Sequence, residues 1–584
     1  MKKETLVRLL VVLTCTMSLS AWSQPVVSTP VASANTGRLG LALPASEVVL
    51  DNLPQAPSGS SQPLRYHDVM DGLTEQQREA RRHSAAFGTT GASRGTSEPA
   101  SSITARDSVG TLKSFAGAGE NGSTPSDMAL AVGPTYVLQA VNDSVLITDK
   151  NGVIQAGYPK TAQSFFGLSA STYVTDPRAF YDWGNARFVV IMLEETLAVT
   201  GNQGYLLLAV SKTNDPRGVW YNYGATFQIG ATGECPDYPS LGNDHTPWIG
   251  SGKGGIYIGI NQFSSCNPGN SFIQNYMFLL PKTSLYTGAG YSYWIQSGFN
   301  VGGTLVDTIQ PMNVAAASNN PPAEFMVNSY NLNFGGGQCS TGCNGLVVWA
   351  VSNPFGFISG GPSPEFTGTT LATTYTYKLS TGGDEPGCNN CIETLDTRIS
   401  GSVQYNAGSI FGSMETQDPN FQTGENSPIW FEVHPVLGAS DARCVGTYAN
   451  ACPVLASAAL RQEDCFLCGG WASHGSAFFG TLQPDPENNL VMVYNYTSQT
   501  SYPGTAYTSR RVSYGDSLMN GAGNYLANGA AYYNQGRWGD YTATAPDLNS
   551  GLNPYMWFSG MYSDANGNWA TQIGKAGYTA PNQE

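Results

Sequence analysis

The sequence predicts an all-β fold, and its composition is the first reason. Glycine, proline and tyrosine are abundant, with 68, 34 and 31 residues, whereas only 12% of the 584 residues are charged. Turn formers combined with aromatic residues are typical of many short strands joined by tight turns. A hydrophobic fraction of 41% excludes a disordered chain.

The second reason is a pattern that recurs seven times after residue 110. Each copy begins with a polar residue and a strand of small alternating residues, followed by a tight turn and a more apolar strand. A second strand pair follows most copies, so the repeat predicts a seven-bladed β-propeller of four-stranded blades. A sandwich or a β-helix is the alternative. The copies lie at 125–141, 176–192, 237–261, 310–330, 396–414, 474–494 and 537–559.

The two strand types fit different places in a blade. The innermost strand lies against the axis, where room is scarce, so small residues such as Ala129 and Ala131 suit it. The middle strands are covered on both faces by neighbouring blades and should be apolar, as at Val189, Leu206 and Val491.

The chain before residue 111 has a different composition. A basic start and a short apolar run predict a secretory signal peptide over residues 1–23. Residues 24–110 are rich in Ser, Thr, Ala and Pro, which predicts a flexible leader with a short helix near 74–84. The β-propeller is expected to span 111–580. We therefore expect a secreted, extracellular protein, with the periplasm as the alternative location.

The charge excludes several partners. The formal net charge is −15, and the sequence contains no basic block. An acidic chain of this kind argues against a nucleic-acid partner and against docking on an anionic membrane. We expect a monomer without membrane insertion, whose partner is an extracellular glycan or a cell-surface component.

The cysteines predict a disulfide framework. In an exported protein an even set of cysteines favours disulfides, and we expect each cysteine to pair with its nearest neighbour along the chain. The two CxxC pairs could instead hold a zinc ion. The ten cysteines after the signal peptide are Cys235, Cys266, Cys339, Cys343, Cys388, Cys391, Cys444, Cys452, Cys465 and Cys468.

Polar residues concentrate at the starts of the repeats. Loops of a propeller converge at one mouth of its axis, where ligand sites are common. Converging guanidinium groups suit the carboxylate of a sialic or uronic acid. The candidate substrate-binding residues are Arg178, Arg398, Arg537 and Tyr238. The candidate catalytic residues are Asp176, Asp237, His474, Asp540 and Tyr541.

These residues allow several functions. Paired aspartates could hydrolyse a glycoside, and His474 or a tyrosine could remove the proton at C5 of a uronate, as in a lyase. A non-catalytic scaffold is the alternative, because Asp–Arg and Asp–backbone bonds also tie propeller strands together. A peptidase-like use of the same mouth is a third hypothesis, although no nucleophile motif is visible.

Other motifs favour structural interpretations. Two turns, 149–152 and 564–568, could hold calcium weakly, but they lack the downstream glutamate of a full loop, so we expect no metal and no cofactor. His245 is expected at a surface turn. Tyr532 and Tyr533 suit either sugar stacking or packing between blades.

Three segments support a family resemblance. Asp176-Pro-x-x-x-Tyr-Asp182, Asp237-Tyr-Pro-Ser-Leu-Gly242 and Arg537-Trp-Gly-Asp-Tyr541 resemble segments of secreted bacterial β-propeller proteins that are distantly similar to sialidases. The resemblance implies the fold over 111–580. The sialidase Asp box, Ser-x-Asp-x-Gly-x-x-Trp, is not intact, since only 563–569 comes near it, with the acidic residue displaced.

Overall fold

The structure is a computed structural model. The predicted signal peptide, the predicted helix near 74–84 and His474 lie outside the residues that it describes. It describes residues 29–31, 36–56, 65–66, 109–196, 203–224, 227–231, 233–266, 271–316, 319–330, 339, 342–379, 382–395, 397–417, 425–468, 475–520, 523–535, 537–549 and 555–578.

The chain is all-β, as the composition predicts, and its strands pair mainly with antiparallel neighbours. The N-terminal strands are β1 (Thr29–Val31), β2 (Thr36–Ala42), β3 (Ser46–Val49), β4 (Arg65–Tyr66), β5 (Thr111–Gly119) and β6 (Ser123–Thr124). The next sheets contain β7 (Ala129–Val132), β8 (Tyr136–Val141), β9 (Ser144–Asp149) and β10 (Lys160–Thr161), then β11 (Tyr173–Asp182), β12 (Arg187–Thr196), β13 (Gln203–Ser211), β14 (Val219–Asn222) and β15 (Phe227–Ile229).

Further antiparallel strands follow in the same manner. They are β16 (Cys235–Asn243), β17 (Gly255–Phe263), β18 (Phe272–Pro281) and β19 (Tyr291–Ser297), the hairpin β20 (Asn300–Val301) and β21 (Thr304–Leu305), then β22 (Gln310–Val314), β23 (Glu324–Ser329), β24 (Cys343–Ser352) and β25 (Glu365–Tyr377). Among the described residues the helices are short: α1 spans Ala162–Phe166, α2 spans Lys282–Leu285, and 3-10 turns span Leu50–Asn52, Gly356–Ser359, Gly446–Tyr448 and Val512–Tyr514.

The C-terminal strands complete the described chain. They are the hairpin β26 (Gly383–Glu385) and β27 (Cys388–Ile392), then β28 (Val403–Asn406), β29 (Ser409–Gln417), β30 (Asn426–Ser440) and β31 (Pro453–Cys465), β32 (Ser476–Pro484), β33 (Leu490–Ser498), β34 (Ser501–Arg510) and β35 (Asn524–Ala527), and β36 (Ala543–Asp547), β37 (Tyr555–Ser563) and β38 (Trp569–Ala576). β5 pairs with β38, so a strand from before residue 120 completes the last sheet.

The core lies between the sheets, where the alternating apolar strands predicted it. Val189, Leu206 and Val491 have no exposed surface, and the small residues Ala129 and Ala131 of β7 are also buried. Burying both faces of the middle strands removes a large apolar area from water, which is the main driving force for this packing.

The segment before residue 57 does not match the predicted flexible leader. β1 pairs with β25, β2 with β19 and β3 with β14, so this segment adds a strand to both ends of the sheet path that runs from β25 to β19 and to the edge of the sheet that contains β14. Leu50 is fully buried, and the bridge between Gln55 and Lys160 continues the path to the sheet of β7–β10. We call residues 29–31 and 36–56 the N-terminal belt. Alternating apolar residues such as Leu39 and Leu41 permit strand pairing despite the Ser- and Pro-rich surroundings.

Four disulfides connect the nearest neighbours that the spacing predicted. The pairs are Cys235–Cys266, Cys339–Cys343, Cys444–Cys452 and Cys465–Cys468. The predicted fifth pair differs, because Cys388 and Cys391 are free thiols. The thiol of Cys391 instead lies 3.6 Å from Oε1 of Glu385, the residue that faces Cys388 in the β26–β27 hairpin.

Candidate functional site

β-Bulges place two of the predicted site residues. Asp176 in β11 and Tyr238 in β16 have positive φ angles of 54° and 51°, at points where the pairing register shifts. A bulge bends a strand and re-aims the neighbouring side chains. The side chains of Arg178 and Tyr238, from two different sheets, consequently meet.

Two arginines and two tyrosines form one stack. The guanidinium carbon of Arg178 lies 3.5 Å from the ring centre of Tyr541 and 5.6 Å from that of Tyr238. The guanidinium carbon of Arg398 lies 4.5 Å from the Tyr238 ring. We call these four residues the Arg–Tyr cluster. Cation–π attraction holds such pairs together, more strongly when water is excluded.

The Arg–Tyr cluster is closed to solvent. Arg178 is 4% exposed, and Tyr238, Arg398 and Tyr541 are each 1% exposed. Nε of Arg178 donates to the carbonyl of Pro239 at 2.9 Å, and both terminal nitrogens lie 3.2 Å from the carbonyl of Ser400. The guanidinium group therefore ties the backbones of two sheets to β11.

Burial also disfavours proton abstraction by the tyrosine. The hydroxyl of Tyr541 donates to the carbonyl of Pro177 at 3.2 Å. Burial, only partly offset by Arg178, raises the pKa of Tyr541 well above its usual range. A phenol in this state holds its proton at neutral pH and is a poor general base.

The aspartates bind the backbone of adjacent sheets. Oδ2 of Asp176 accepts a hydrogen bond from the backbone N–H of Tyr238 at 3.1 Å, and the N–H of Asp176 donates to Asn142 at 2.8 Å. The N–H of Asp540 donates to Oδ1 of Asp127 at 2.7 Å. These bonds join consecutive sheets, which is the structural role that the sequence left open as an alternative.

Arg537 lies outside the stack. Its Nε lies 2.9 Å from Oε2 of Glu393, and its Nη2 lies 2.6 Å from Oδ1 of Asp540, with 11% of the side chain exposed. Asp237 is buried beside Tyr238. The structure thus brings the two arginines and two tyrosines of the Arg–Tyr cluster together, bonds Asp176 to Tyr238 and pairs Arg537 with Asp540. His474 is outside the described residues. The catalytic roles of all these residues remain predictions.

Sequence reasoning missed a second buried cluster of charges. Nζ of Lys282 lies 2.7 Å from Oδ2 of Asp182, and Nδ1 of His245 lies 3.4 Å from Oδ1 of the same carboxylate. The hydroxyl of Tyr286 donates to Asp182 at 2.6 Å. His245 is therefore not at the surface turn that we expected, since 9% of the residue is exposed. The sequence feature that could have revealed this cluster is Lys282, a charged residue directly after the apolar strand β18.

The pKa values of Asp182 and His245 are shifted by burial and by the charged groups around them. Burial alone would raise the pKa of Asp182, but Lys282, His245 and Tyr286 together lower it below its usual value. Burial and the nearby charge of Lys282 lower the pKa of His245 to about 4, so its ring is neutral at pH 7. The Asp182–Lys282 ion pair in this cluster connects β11 with the sheet that contains β16 and β18.

A small cavity lies between the first strands of several sheets. Its volume is about 30 Å³, and Ala179, Asn313, Gln404 and Thr544 are among the residues that line it.

The turns considered for calcium use their aspartates internally. Oδ1 of Asp149 accepts hydrogen bonds from two backbone N–H groups of its own turn, and Asp564 does the same. Glu195 lies close to Cys235 and Cys266, but the disulfide leaves neither sulfur as a thiolate ligand.

The two loop tyrosines differ. Tyr533 is 4% exposed, and its ring centre lies 4.9 Å from that of Trp538, so it packs in the core. Tyr532 is 42% exposed and contacts Cys388.

Comparisons with family models and with curated proteins do not assign this chain to a family. No protein-family model matches the chain, and no curated protein matches it. In the part of the chain that the structure describes, no helix is long and apolar enough to cross a membrane.

Solved structures give weak matches. The sialidase of Trypanosoma rangeli, solved with 2,3-difluorosialic acid as a covalent intermediate, matches with 10% identity and a TM-score of 0.28, over 74% of this chain and 57% of the sialidase. A protein of unknown function from Dyadobacter fermentans matches with 8% identity and a TM-score of 0.27, over 70% of this chain and 96% of that protein.

PorZ, a surface component of the type-IX secretion system of Porphyromonas gingivalis, matches with 10% identity and a TM-score of 0.14, over 81% of this chain and 60% of PorZ. The chain thus spans just over half of the sialidase that it matches. Sialidases are also the proteins that the sequence segments resemble. We infer nothing about activity from likenesses this weak.

Proposed function

We propose that the chain is a seven-bladed β-propeller that acts outside the cell as a non-catalytic scaffold and binds a protein partner. The burial of Arg178 and Arg398 carries this proposal, because their guanidinium groups contact tyrosine rings, and that of Arg178 also binds backbone carbonyls. Recognition of an acidic glycan needs guanidinium forks that are open to the ligand.

Contacts between the first strands support the propeller. β7, β11, β16, β22, β28, β32 and β36 contact one another in this order, and β36 contacts β7. Two of the contacts, β16 with β22 and β22 with β28, are parallel pairings. Each first strand starts an antiparallel group of four, counting β5 with β36–β38. A ring of this kind leaves only short outer edges exposed.

The N-terminal belt offers a surface for the partner. Leu39, Leu41 and Leu43 are 58%, 71% and 66% exposed on and just after β2. Within the described residues β2 pairs only with β19, so its second edge presents free backbone N–H and C=O groups. An exposed edge with apolar side chains suits an extended segment of another protein, which adds a strand.

The proposed surface can be tested by measuring how much of the partner is captured by wild type and by variants of the full chain. Leu39→Ser and Leu41→Ser together should reduce capture from extracellular fractions by about tenfold or more, because both the apolar contact and its burial are lost. Leu518→Ser is the matched control, since this leucine is 40% exposed elsewhere. Equal losses in both variants, or unchanged capture in both, would refute the proposed surface.

One contact favours a second candidate, the hydrolase or lyase acting on an acidic glycan. Arg537 keeps some exposure between Glu393 and Asp540, which places a cation and two carboxylates near the predicted mouth. Two carboxylates can serve as acid and base in glycoside hydrolysis. This candidate predicts turnover, whereas the scaffold does not.

A further inference from the structure

The two free thiols lie in a hairpin with an unusual turn of the backbone. Asn390, between Cys388 and Cys391, has a φ of 55°, and its N–H donates to Oδ1 of Asp384 at 2.8 Å. The left-handed residue shifts the register of β27. The side chains of Cys388 and Cys391 lie within hydrogen-bond reach of each other.

A buried carboxyl group faces the second thiol. The sulfur of Cys391 lies 3.6 Å from Oε1 of Glu385, which has no exposed surface. Oε2 of Glu385 accepts a hydrogen bond from the N–H of Tyr533 at 2.9 Å. Burial raises the pKa of Glu385 to about 8, so this carboxyl gains and loses a proton near neutral pH.

The first thiol has the properties of a nucleophile. The hydrogen bond from Cys391 outweighs burial and lowers the pKa of Cys388 to about 7. The thiolate is the reactive form of cysteine, and a thiol with a pKa near the ambient pH attacks disulfides most effectively. Cys388 is 5% exposed, and Tyr532, a side chain that is 42% exposed, contacts it, so this thiol lies directly beneath a surface residue.

We propose that Cys388 and Cys391 form a reversible dithiol–disulfide site that reacts with small disulfides, with Glu385 as the proton acceptor for Cys391. No other pair of cysteines in the described residues has this arrangement, because the remaining ones are joined as disulfides.

The exchange proceeds in two balanced steps. The Cys388 thiolate attacks one sulfur of R–S–S–R, which forms a mixed disulfide and releases RS⁻. Glu385 then takes the proton of Cys391, and the resulting thiolate attacks the sulfur of Cys388 and releases the second RS⁻. The dithiol is oxidised and the small disulfide is reduced to two thiols, and a dithiol reductant reverses the change.

Oxidised glutathione is the probe for the test. The folded full chain, first reduced under native conditions, should lose two hydrogen atoms in the peptide that contains both thiols, and two molecules of glutathione should be released. The Cys391→Ser variant should stop at a mixed disulfide on Cys388. The Cys465–Cys468 pair, which has the same spacing, is an internal control and should remain a disulfide throughout.

The role of Glu385 has its own test. Glu385→Gln should slow the second step by about tenfold or more without slowing the first, since general-base help is lost only there. A disulfide that resists dithiothreitol in the native protein, or a reduced pair that does not react with oxidised glutathione, would overturn the proposal. Equal rates in wild type and Glu385→Gln would remove Glu385 from it.

Discussion

Arg178 shows how a single side chain can join three sheets. Its guanidinium group binds the carbonyls of Pro239 and Ser400 and stacks on Tyr541, with 4% of the residue exposed. Because Pro239 and Ser400 are buried, loss of the guanidinium group would leave their carbonyls without these bonds, so Arg178 stabilises the fold.

Arg178→Gln should therefore destabilise the protein. Loss of the buried hydrogen bonds and of the stack should lower the free energy of unfolding by about 2–4 kcal/mol. Urea denaturation of the folded variant measures this change. Arg443→Gln is the control, since that side chain is 54% exposed, and its loss should stay below about 1 kcal/mol. Equal stability of wild type and Arg178→Gln would refute the structural role.

His245 makes the stability depend on pH. Its pKa falls from about 6.5 in the unfolded chain to about 4 in the folded protein, because burial disfavours the charged ring. The unfolded state therefore binds the proton first, and stability is lost as the pH falls from above 6.5 towards 4.

Comparing wild type with the His245→Asn variant isolates the contribution of His245 to the pH dependence of stability. Between pH 7 and pH 5 wild type should lose about 2 kcal/mol more than the variant, as the difference in pKa requires. Urea denaturation at several pH values gives both curves. Parallel curves would show that the histidine titrates normally and is not buried as described.

At the scale of elements, the N-terminal belt depends on long-range pairing. Gly37 and Gly40 in β2 lie against Trp294 and Tyr293 of β19, so close that a Cβ atom would come within 2.4 and 2.3 Å of these rings. The absence of side chains at these two positions lets β2 pair closely with the edge strand β19.

Gly37→Val with Gly40→Val should release the belt. Proteolysis within residues 36–49 should become about tenfold faster, since local opening exposes backbone bonds, while far-ultraviolet circular dichroism stays close to wild type. Gly119→Ala is a control, because no atom lies within 4 Å of its added Cβ. Unchanged proteolysis of the double variant would show that the belt does not pack on β19.

Local patterns made much of this architecture predictable from the sequence. The buried middle strands follow from runs such as the one around Val491, and four disulfides follow from cysteine spacing. The belt did not follow, because its partners are about 170 to 340 residues away along the chain. The sequence also placed Arg178 and Tyr541 at one site, but their burial depends on packing between strands distant in sequence.

At the scale of the whole molecule, β5 joins the segment before the first repeat to the last strand, β38. It covers the edge of β38, and Oε1 of Gln139 accepts a hydrogen bond from the N–H of Ala118 at 2.7 Å. A chain that starts at residue 120 should aggregate more than one that starts at 109, because it exposes the edge of β38 in addition to the edges that the N-terminal belt covers. Size-exclusion chromatography distinguishes these results, and a soluble monomer from the shorter chain would contradict closure by β5.

The most direct test of the account is turnover by the folded full chain. The protein is incubated with acidic polysaccharides and sialosides, and the readouts are new reducing ends and the ultraviolet absorbance of unsaturated uronates. The account predicts neither signal, because the arginines and aspartates of the site stabilise the fold. Turnover by wild type that is lost in a folded Asp540→Asn variant would contradict it and would establish a catalytic site.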